Sequence, residues 1–125
     1  MSLKEYTVLV GLPAATTTTN GDGAAIDLQP YVASGWREIK AHLNCGTITG
    51  TTGTLTIKVQ ESTTTTSGDF SDITGAAFAE LSTATGGETI HFQTNKRYVR
   101  FVRTVGGDTP SFVNAVSLVV LDRLV

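Results

Sequence analysis

The residue types that hold zinc or form a Cys–His nucleophile pair are represented in this chain by one cysteine, Cys45, and two histidines, His42 and His91. A zinc site needs three or four such ligands at one point. His42 and Cys45 lie on opposite phases of an alternating segment, so their side chains face opposite sides of an extended strand. The same geometry separates them as a Cys–His nucleophile pair. We therefore predict no metal site and interpret Cys45 as a small core residue.

Two aspartates, Asp69 and Asp72, are the best candidates for paired carboxylates. The Asp-x-Asp-x-Asp-Gly spacing of a calcium loop is absent, and aspartates in turns commonly accept hydrogen bonds from backbone amides. The glycine pairs at 86–87 and 106–107 are interpreted as turns, because no Gly-Lys-Ser/Thr follows either of them. Nothing supplies a nucleophile with a base, so we predict that the protein is not an enzyme and carries no cofactor.

Trp36, the single tryptophan, precedes the clearest alternating segment of the chain. Together with Tyr31 and Tyr98 it could form an aromatic platform for sugar binding. A lone tryptophan beside an alternating strand is more commonly part of the core. We expect core packing for Trp36 and keep the platform as the alternative.

Extended strands have to position these residues. Residues 36–45 and 54–61 both alternate apolar and polar side chains, which is the period of a half-buried strand. The apolar sets are Ile39, Ala41, Leu43 and Cys45 in the first segment, and Leu55, Ile57 and Val59 in the second. The Gly- and Thr-rich stretch between them, 46–53, predicts that the two strands form a hairpin.

Further strands are predicted toward both ends of the chain, over residues 3–10, 24–28, 88–93, 97–105 and 112–121. The first of them should stop at 11–13, and 14–23 should form a loop or connector. Arg103 interrupts an apolar phase and marks an exposed strand end. Residues 112–121 are almost continuously apolar, so we expect cover on both sides, from the second sheet and from a neighbouring subunit or partner. Residues 75–81 fit either a brief helix or a strand.

About seven or eight short strands with regularly spaced turns and no long helix predict an all-β fold. The specific expectation is an antiparallel two-sheet β-sandwich, with a jelly roll as one form of it. A composition rich in threonine and only 16% charged agrees with this, since β-branched residues favour strands. We divide the chain into an N-terminal strand or arm with a Thr/Gly-rich linker, residues 1–23, and the sandwich, residues 24–125.

Charge and hydropathy exclude several classes of partner. The net charge is −2 and the nine Lys and Arg residues are dispersed, so no basic stripe predicts a nucleic-acid partner. No apolar run approaches the roughly 20 residues that cross a bilayer, so we predict no membrane partner. The single cysteine, and an N-terminus without an apolar secretory core, indicate assembly in a reducing cytoplasm.

Three segments carry a resemblance to a known family: GAAIDLQ at 23–29, LTIKVQES followed by GDFSDI at 55–62 and 68–73, and NKRYVRFVR at 95–103. In this order they resemble small head decoration, or cement, proteins of tailed bacteriophages. The resemblance spans residues 23–121. It implies a viral structural protein of β-sandwich fold on the capsid surface of the virion, present in many copies as a homotrimer, which binds the major capsid protein and stabilises the shell. It implies no catalytic, metal or cofactor residues.

We expect residues 3–10 to pair with another chain, either a sister subunit or the capsid protein, by strand addition. The candidate partner-contact residues are Leu3, Tyr6, Val8 and Val10. Two alternatives stay open: a carbohydrate- or receptor-binding β-sandwich, and another virion component such as a tail or neck protein.

Overall fold

The computed structural model describes residues 5–32, 35–49, 53–82, 86–107 and 111–122. These ranges contain nine β-strands and a single-turn 3-10 helix at Ser67–Asp69. The strands are β1 (Glu5–Thr17), β2 (Gly21–Asp22), β3 (Ile26–Asp27), β4 (Arg37–Thr49), β5 (Thr54–Ser62), β6 (Ser71–Ala77), β7 (Gly86–Thr94), β8 (Tyr98–Gly106) and β9 (Ser111–Asp122). No helix within these ranges is long and apolar enough to cross a membrane.

The strands form two antiparallel sheets that pack face to face. Sheet 1 has the order β1-β9-β4-β7, and sheet 2 has the order β2-β8-β5-β6 with β3 also paired to β8. The pairs nest from the ends of the chain inward: β1 with β9, β2 and β3 with β8, β4 with β7, and β5 with β6. A chain wound in this way is a jelly roll, with β2 and β3 as one interrupted strand. The predicted two-sheet sandwich is confirmed, in its jelly-roll form.

The predicted hairpin between residues 36–45 and 54–61 is wrong. Both segments are strands, but β4 pairs with β7 and β9 in sheet 1, whereas β5 pairs with β6 and β8 in sheet 2. The chain therefore crosses from one sheet to the other between them. Two strands that each bury one face give the same alternating pattern whether they lie side by side or face each other across the core.

The first strand is longer than the sequence predicted. β1 continues through 11–13 to Thr17 and β2 follows at Gly21–Asp22, so the predicted stop at 11–13 is wrong and most of the predicted loop over 14–23 is strand. Irregularities between Val10 and Leu12 and between Leu12 and Ala15 absorb the extra residues as bulges. β1 and β2 are hydrogen-bonded into the two sheets of the sandwich. Pairing of the N-terminal segment with another chain stays a prediction.

The core lies between the sheets and is built from one side of each long strand. The inward residues predicted for β4 and β5 are all buried. From the strands that follow, the core includes Ala76, Phe92, Val99, Phe101, Phe112, Val116, Leu118 and Val120. β6 shows that residues 75–77 are strand rather than helix. The predicted turn before β9 contains Gly107 at a φ of 84°, a conformation that suits glycine.

Gly11 provides a test of the packing between β1 and sheet 2. A Cβ at Gly11 would lie 2.7 Å from Cε2 of Phe101 and 3.2 Å from Cγ1 of Val116. Because Phe101 is fully buried, its ring has no free space to move into. We expect Gly11→Ala to lower the free energy of unfolding by about 1–3 kcal/mol through overpacking, as measured by urea denaturation. Gly21→Ala is the matched control, since a Cβ there meets nothing within 4 Å. Equal losses in both variants would contradict this explanation.

Candidate interaction surface on the outer face of sheet 1

Of the four large apolar side chains that the described residues expose, three belong to sheet 1 and the fourth immediately precedes one of its strands. Val8 is 61% exposed, Val10 66% and Val113 42%, and Trp36, which immediately precedes β4, is 57% exposed. Val8 and Val10 lie on β1 and Val113 lies on β9. Apolar side chains that gather on one surface of a folded domain mark a site of interaction more strongly than scattered ones do.

Strand alternation explains why these side chains point outward. Val8 pairs with Val119 and Leu9 pairs with Leu118, and Leu118 is fully buried in the core. Leu9 and Leu118 therefore face inward, and their neighbours in sequence face the other side of the sheet. The outward row on β1 and β9 contains one polar residue, Ser117, and its apolar members, which we call the apolar stripe, are Val8, Val10, Val113, Ala115, Val119 and Leu121.

The other half of the same face, on β4 and β7, is polar. The His42 ring nitrogens lie 2.8 Å from Oγ1 of Thr89 and 3.2 Å from Oδ1 of Asn44. Gln93 donates its Nε2–H to Oε1 of Glu38 at 3.2 Å. An apolar area bordered by hydrogen-bonded polar groups has the anatomy of a protein–protein interface, in which a desolvated centre is surrounded by a wetter rim.

A groove opens where β1 bulges, next to the apolar stripe. Its volume is about 320 Å³, and its walls are formed by Val10, Leu12, Pro13, Ala14, Asn44, Ala115, Val116 and Ser117. The groove lies beside the part of β1 where its register with β9 is irregular. Mostly aliphatic walls with an amide and a hydroxyl at one side suit an apolar side chain from a partner protein.

The outer face of sheet 2 has a different character, because its charged groups are paired with one another. Lys58 forms a salt bridge of 3.0 Å with Asp72, and Gln60 donates to the same carboxylate at 2.8 Å. Arg100 donates to Oε1 of Gln60 at 2.8 Å and lies over the ring of Phe70 at 4.3 Å from its centroid. Such a ladder of exposed polar contacts suits a surface that faces water.

The residues considered for catalysis or metal binding do not come together in the structure. Cys45 is buried in the core, and burial raises the pKa of its thiol, whereas His42 and His91 lie on the outer side of sheet 1. Asp69 accepts a hydrogen bond from the Thr64 hydroxyl at 2.7 Å. Across the ranges that the structure describes, no group of three or more His, Cys, Asp or Glu residues could hold a metal ion.

The structure shows where some of the predicted contact residues lie and where the three aromatic residues of the considered platform lie. Val8 and Val10 are exposed at the edge of sheet 1, whereas Leu3 and the side chain of Tyr6 lie outside the described residues. The expected core position of Trp36 is wrong, since its side chain is mostly exposed. Of its proposed platform partners, Tyr31 packs against the core, and the guanidinium of Arg97 covers the Tyr98 ring at 5.0 Å.

Sequence analysis missed a polar cluster that joins the two sheets. Asn114, buried on β9, donates to Oγ1 of Thr17 at 2.8 Å and accepts from Nε of Arg103 at 3.1 Å. Nη2 of Arg103 also lies 3.5 Å from the Pro13 carbonyl oxygen. Arg103 therefore does not mark an exposed strand end, as its position in the sequence suggested, but reaches from sheet 2 toward sheet 1. The sequence did contain a signal for this position, because Arg103 lies on the phase of β8 whose other side chains face the core.

Comparisons with known proteins show similarity of fold. No protein-family model matches the chain, and no curated protein matches it. A chain in a solved structure of the Gx strain of infectious bursal disease virus aligns with a TM-score of 0.52 and 13% sequence identity. The alignment covers 97% of this protein and 33% of the viral chain, so this protein spans about a third of that chain's length. The sandwich described above therefore has a counterpart, over nearly its whole length, within a larger viral chain.

The pairing of Asp27 with Arg97 predicts a pH dependence of stability. Arg97 donates to both carboxylate oxygens of Asp27, at 2.9 and 2.8 Å, and these bonds hold the pKa of Asp27 below its ordinary value. The pair therefore contributes stability above the unfolded-state pKa of about 3.9 and loses it as the pH falls through the lower folded-state pKa.

We expect Asp27→Asn to lower the free energy of unfolding by about 0.2–1 kcal/mol at pH 7. The difference from wild type should shrink as the pH falls below about 4, because wild-type Asp27 then loses its charge as well. Urea denaturation at several pH values measures both effects. Asp69→Asn serves as the control, since Asp69 forms no salt bridge with any described residue. A difference that stays constant down to pH 2 would exclude the ion pair as its cause.

Proposed function

We propose that the protein is a structural component of a virion. More specifically, it decorates and stabilises the outside of a tailed-phage capsid by binding the lattice of the major capsid protein. The observation that carries this proposal is the asymmetry of the two outer faces: sheet 1 exposes Val8, Val10 and Val113, while sheet 2 presents paired charges. The fold shared with a chain from a virus structure supports a virion role. The resemblance of residues 23–121 to head decoration proteins supports the finer assignment.

In this proposal the apolar stripe and the adjoining groove contact the capsid protein, and sheet 2 faces outward to water. The stripe is small beside the roughly 20–30 residues that a standard interface contributes per side. A single copy would then bind weakly. Many copies on a symmetric lattice strengthen the attachment, because each contact raises the effective concentration of the next.

The proposal includes the partners and the location expected from the sequence. The partners are the major capsid protein and further copies of the chain, with assembly in the host cytoplasm and a final place on the capsid surface. A protein partner fits an uncharged stripe better than a nucleic acid, which requires a row of cations along its phosphates. We propose no catalytic role and no cofactor, since the features of this chain that suggest function are surfaces.

Charge placed on the two outer faces tests the proposal. Val113→Asp introduces a carboxylate into the apolar stripe, and Thr104→Asp introduces the same group on the exposed outer side of β8 in sheet 2. Burying an unpaired carboxylate in an interface costs several kcal/mol. We therefore expect Val113→Asp to weaken binding to capsids that lack this protein by at least about tenfold, and Thr104→Asp to bind as wild type does. Co-sedimentation with such capsids measures binding.

Wild-type protein that does not co-sediment with capsids would contradict the decoration role, as would equal binding by both variants. Binding to isolated tails or necks instead of heads would assign the protein to another part of the virion. Melting temperatures of both variants control for unfolding. Both substituted side chains are exposed, so we expect these temperatures to stay within a few degrees of wild type.

One observation favours a second function, the binding of a carbohydrate or a receptor glycan. Trp36 is exposed, and jelly-roll sandwiches also occur in lectins. A sugar stacked on Trp36 would change the fluorescence of the single tryptophan in the chain. Titration of wild type with a glycan panel tests this function, with Trp36→Ala tested on the same glycans immobilised on an array. Unchanged tryptophan fluorescence across the glycan panel would contradict this second function.

A further inference from the structure

We propose that the protein that covers the apolar stripe places a carboxylate against Lys40. This inference rests on the proposed function and makes it more specific, because it states the chemistry that the capsid protein must offer at this surface. Lys40 is an exposed cation on β4, and in this proposal it is the residue that selects an acidic partner.

Lys40 lies where the apolar and polar halves of the outer face of sheet 1 meet. It is directly opposite Val119 of β9 on one side and His91 of β7 on the other. Val119 in turn lies opposite Val8 of β1. Directly opposite residues share a face of the sheet, and their Cβ atoms are about 4.5–5.5 Å apart. Lys40 is therefore an immediate neighbour of the apolar stripe.

The described residues give Lys40 no negative charge as a partner. None of the salt bridges within the described ranges includes it. Glu38, two residues away on β4, accepts a hydrogen bond from Gln93 at 3.2 Å. The other titratable groups beside Lys40 on this face are His91, opposite it, and His42, two residues along β4. The described outward side chains of β9 are uncharged.

A protein that covers the stripe removes water from Lys40. Contact with Val119 and Val8 brings the partner next to the lysine side chain, because these residues share one row of the sheet. A cation that loses water without gaining an opposite charge costs free energy. Since this chain supplies no such charge to Lys40 from the described residues, the partner has to supply it.

The groove gives the partner surface a second feature at a fixed distance. Asn44, in the wall of the groove, lies four residues along β4 from Lys40, roughly 13 Å at the rise of an extended strand. The groove suits an apolar side chain, as described above. The partner should therefore present an apolar side chain and a carboxylate that are separated by about this distance.

This arrangement gives the attachment a specificity that the apolar stripe alone lacks. An apolar surface accepts any partner of suitable shape, whereas an unpaired cation beside it disfavours neutral and basic partners. Charge pairs across an interface also speed the encounter of the two proteins. Salt weakens such attraction by screening it, so attachment should depend on ionic strength.

Two substitutions of Lys40 test the proposal. Lys40→Met keeps a long unbranched side chain and removes the charge, and Lys40→Glu reverses the charge. We expect Lys40→Met to weaken binding to capsids that lack this protein by at least about tenfold, because it leaves the partner's carboxylate unpaired. Lys40→Glu should weaken binding further, through repulsion between like charges. Co-sedimentation between about 0.05 and 0.5 M salt should show a smaller salt dependence for Lys40→Met than for wild type.

Lys58→Met and Lys58→Glu are the matched controls. They make the same changes of net charge on sheet 2, where Lys58 pairs with Asp72 at 3.0 Å. We expect both to bind capsids as wild type does. Melting temperatures of all four variants control for unfolding. They should stay within a few degrees of wild type, because these are surface positions.

A carbodiimide identifies the partner group directly, because it condenses a lysine amine with a carboxylate in contact with it, with loss of water. We expect mass spectrometry of the treated, decorated capsids to find Lys40 joined to an Asp or Glu of the capsid protein. A linkage of Lys40 to a carboxylate of another copy of this chain would overturn the proposal, as would the absence of any linkage at Lys40.

The outcomes separate this inference from the proposed function. If wild type binds capsids and both Lys40 variants bind equally well at every salt concentration, the carboxylate is wrong and the capsid role stands. Tighter binding by Lys40→Glu would show that the partner surface is basic, with the same conclusion. Wild type that binds no capsids contradicts the proposed function, and this inference is then wrong with it.

Discussion

The fold depends on pairing between the two ends of the chain, β1 with β9. β9 lies between β1 and β4, and its inward residues Phe112, Val116, Leu118 and Val120 are almost completely buried. The other ribbon pairs nest inside this outermost one. Pairings of such long sequence separation form slowly because loop closure precedes the gain from contacts. The tight fit of Gly11 against Phe101 shows how closely β1 approaches the opposite sheet.

The two sheets share one core, but their outer faces differ. An antiparallel sheet can leave one face in water when that face is polar, and sheet 2 meets this condition through contacts such as Lys58 with Asp72. The outer face of sheet 1 is polar on β4 and β7, but it is mostly apolar on β1 and β9. The apolar part therefore lies on β1, the strand at one end of the described order of sheet 1, and on its neighbour β9. This is the surface that the proposed attachment to a capsid uses.

The cluster of Arg103, Asn114 and Thr17 shows how polar groups can fix the arrangement of the sheets. Its members come from β8, β9 and β1, and Asn114 is almost completely buried. Buried polar groups cost stability unless they are hydrogen-bonded, and the bonds restrict which strands can face each other. Burial also lowers the pKa of Arg103, which is the cost of holding a cation between sheets without an acid beside it.

The sequence alone determined the regularly alternating strands and their inward faces, because alternation in residues such as Ile39, Leu43, Ile57 and Val59 is a local property of extended backbone. It also predicted Val8 and Val10 as contact residues; the structure shows that both are exposed, and their contact with a partner stays a prediction. Only the tertiary structure decided which strands pair, and it placed β4 and β5 in different sheets. It also placed Trp36 in solvent, Arg103 between the sheets and the apolar stripe on β1 and β9. These features depend on contacts between residues far apart in the chain, and a local pattern contains no record of which distant strand will lie beside it.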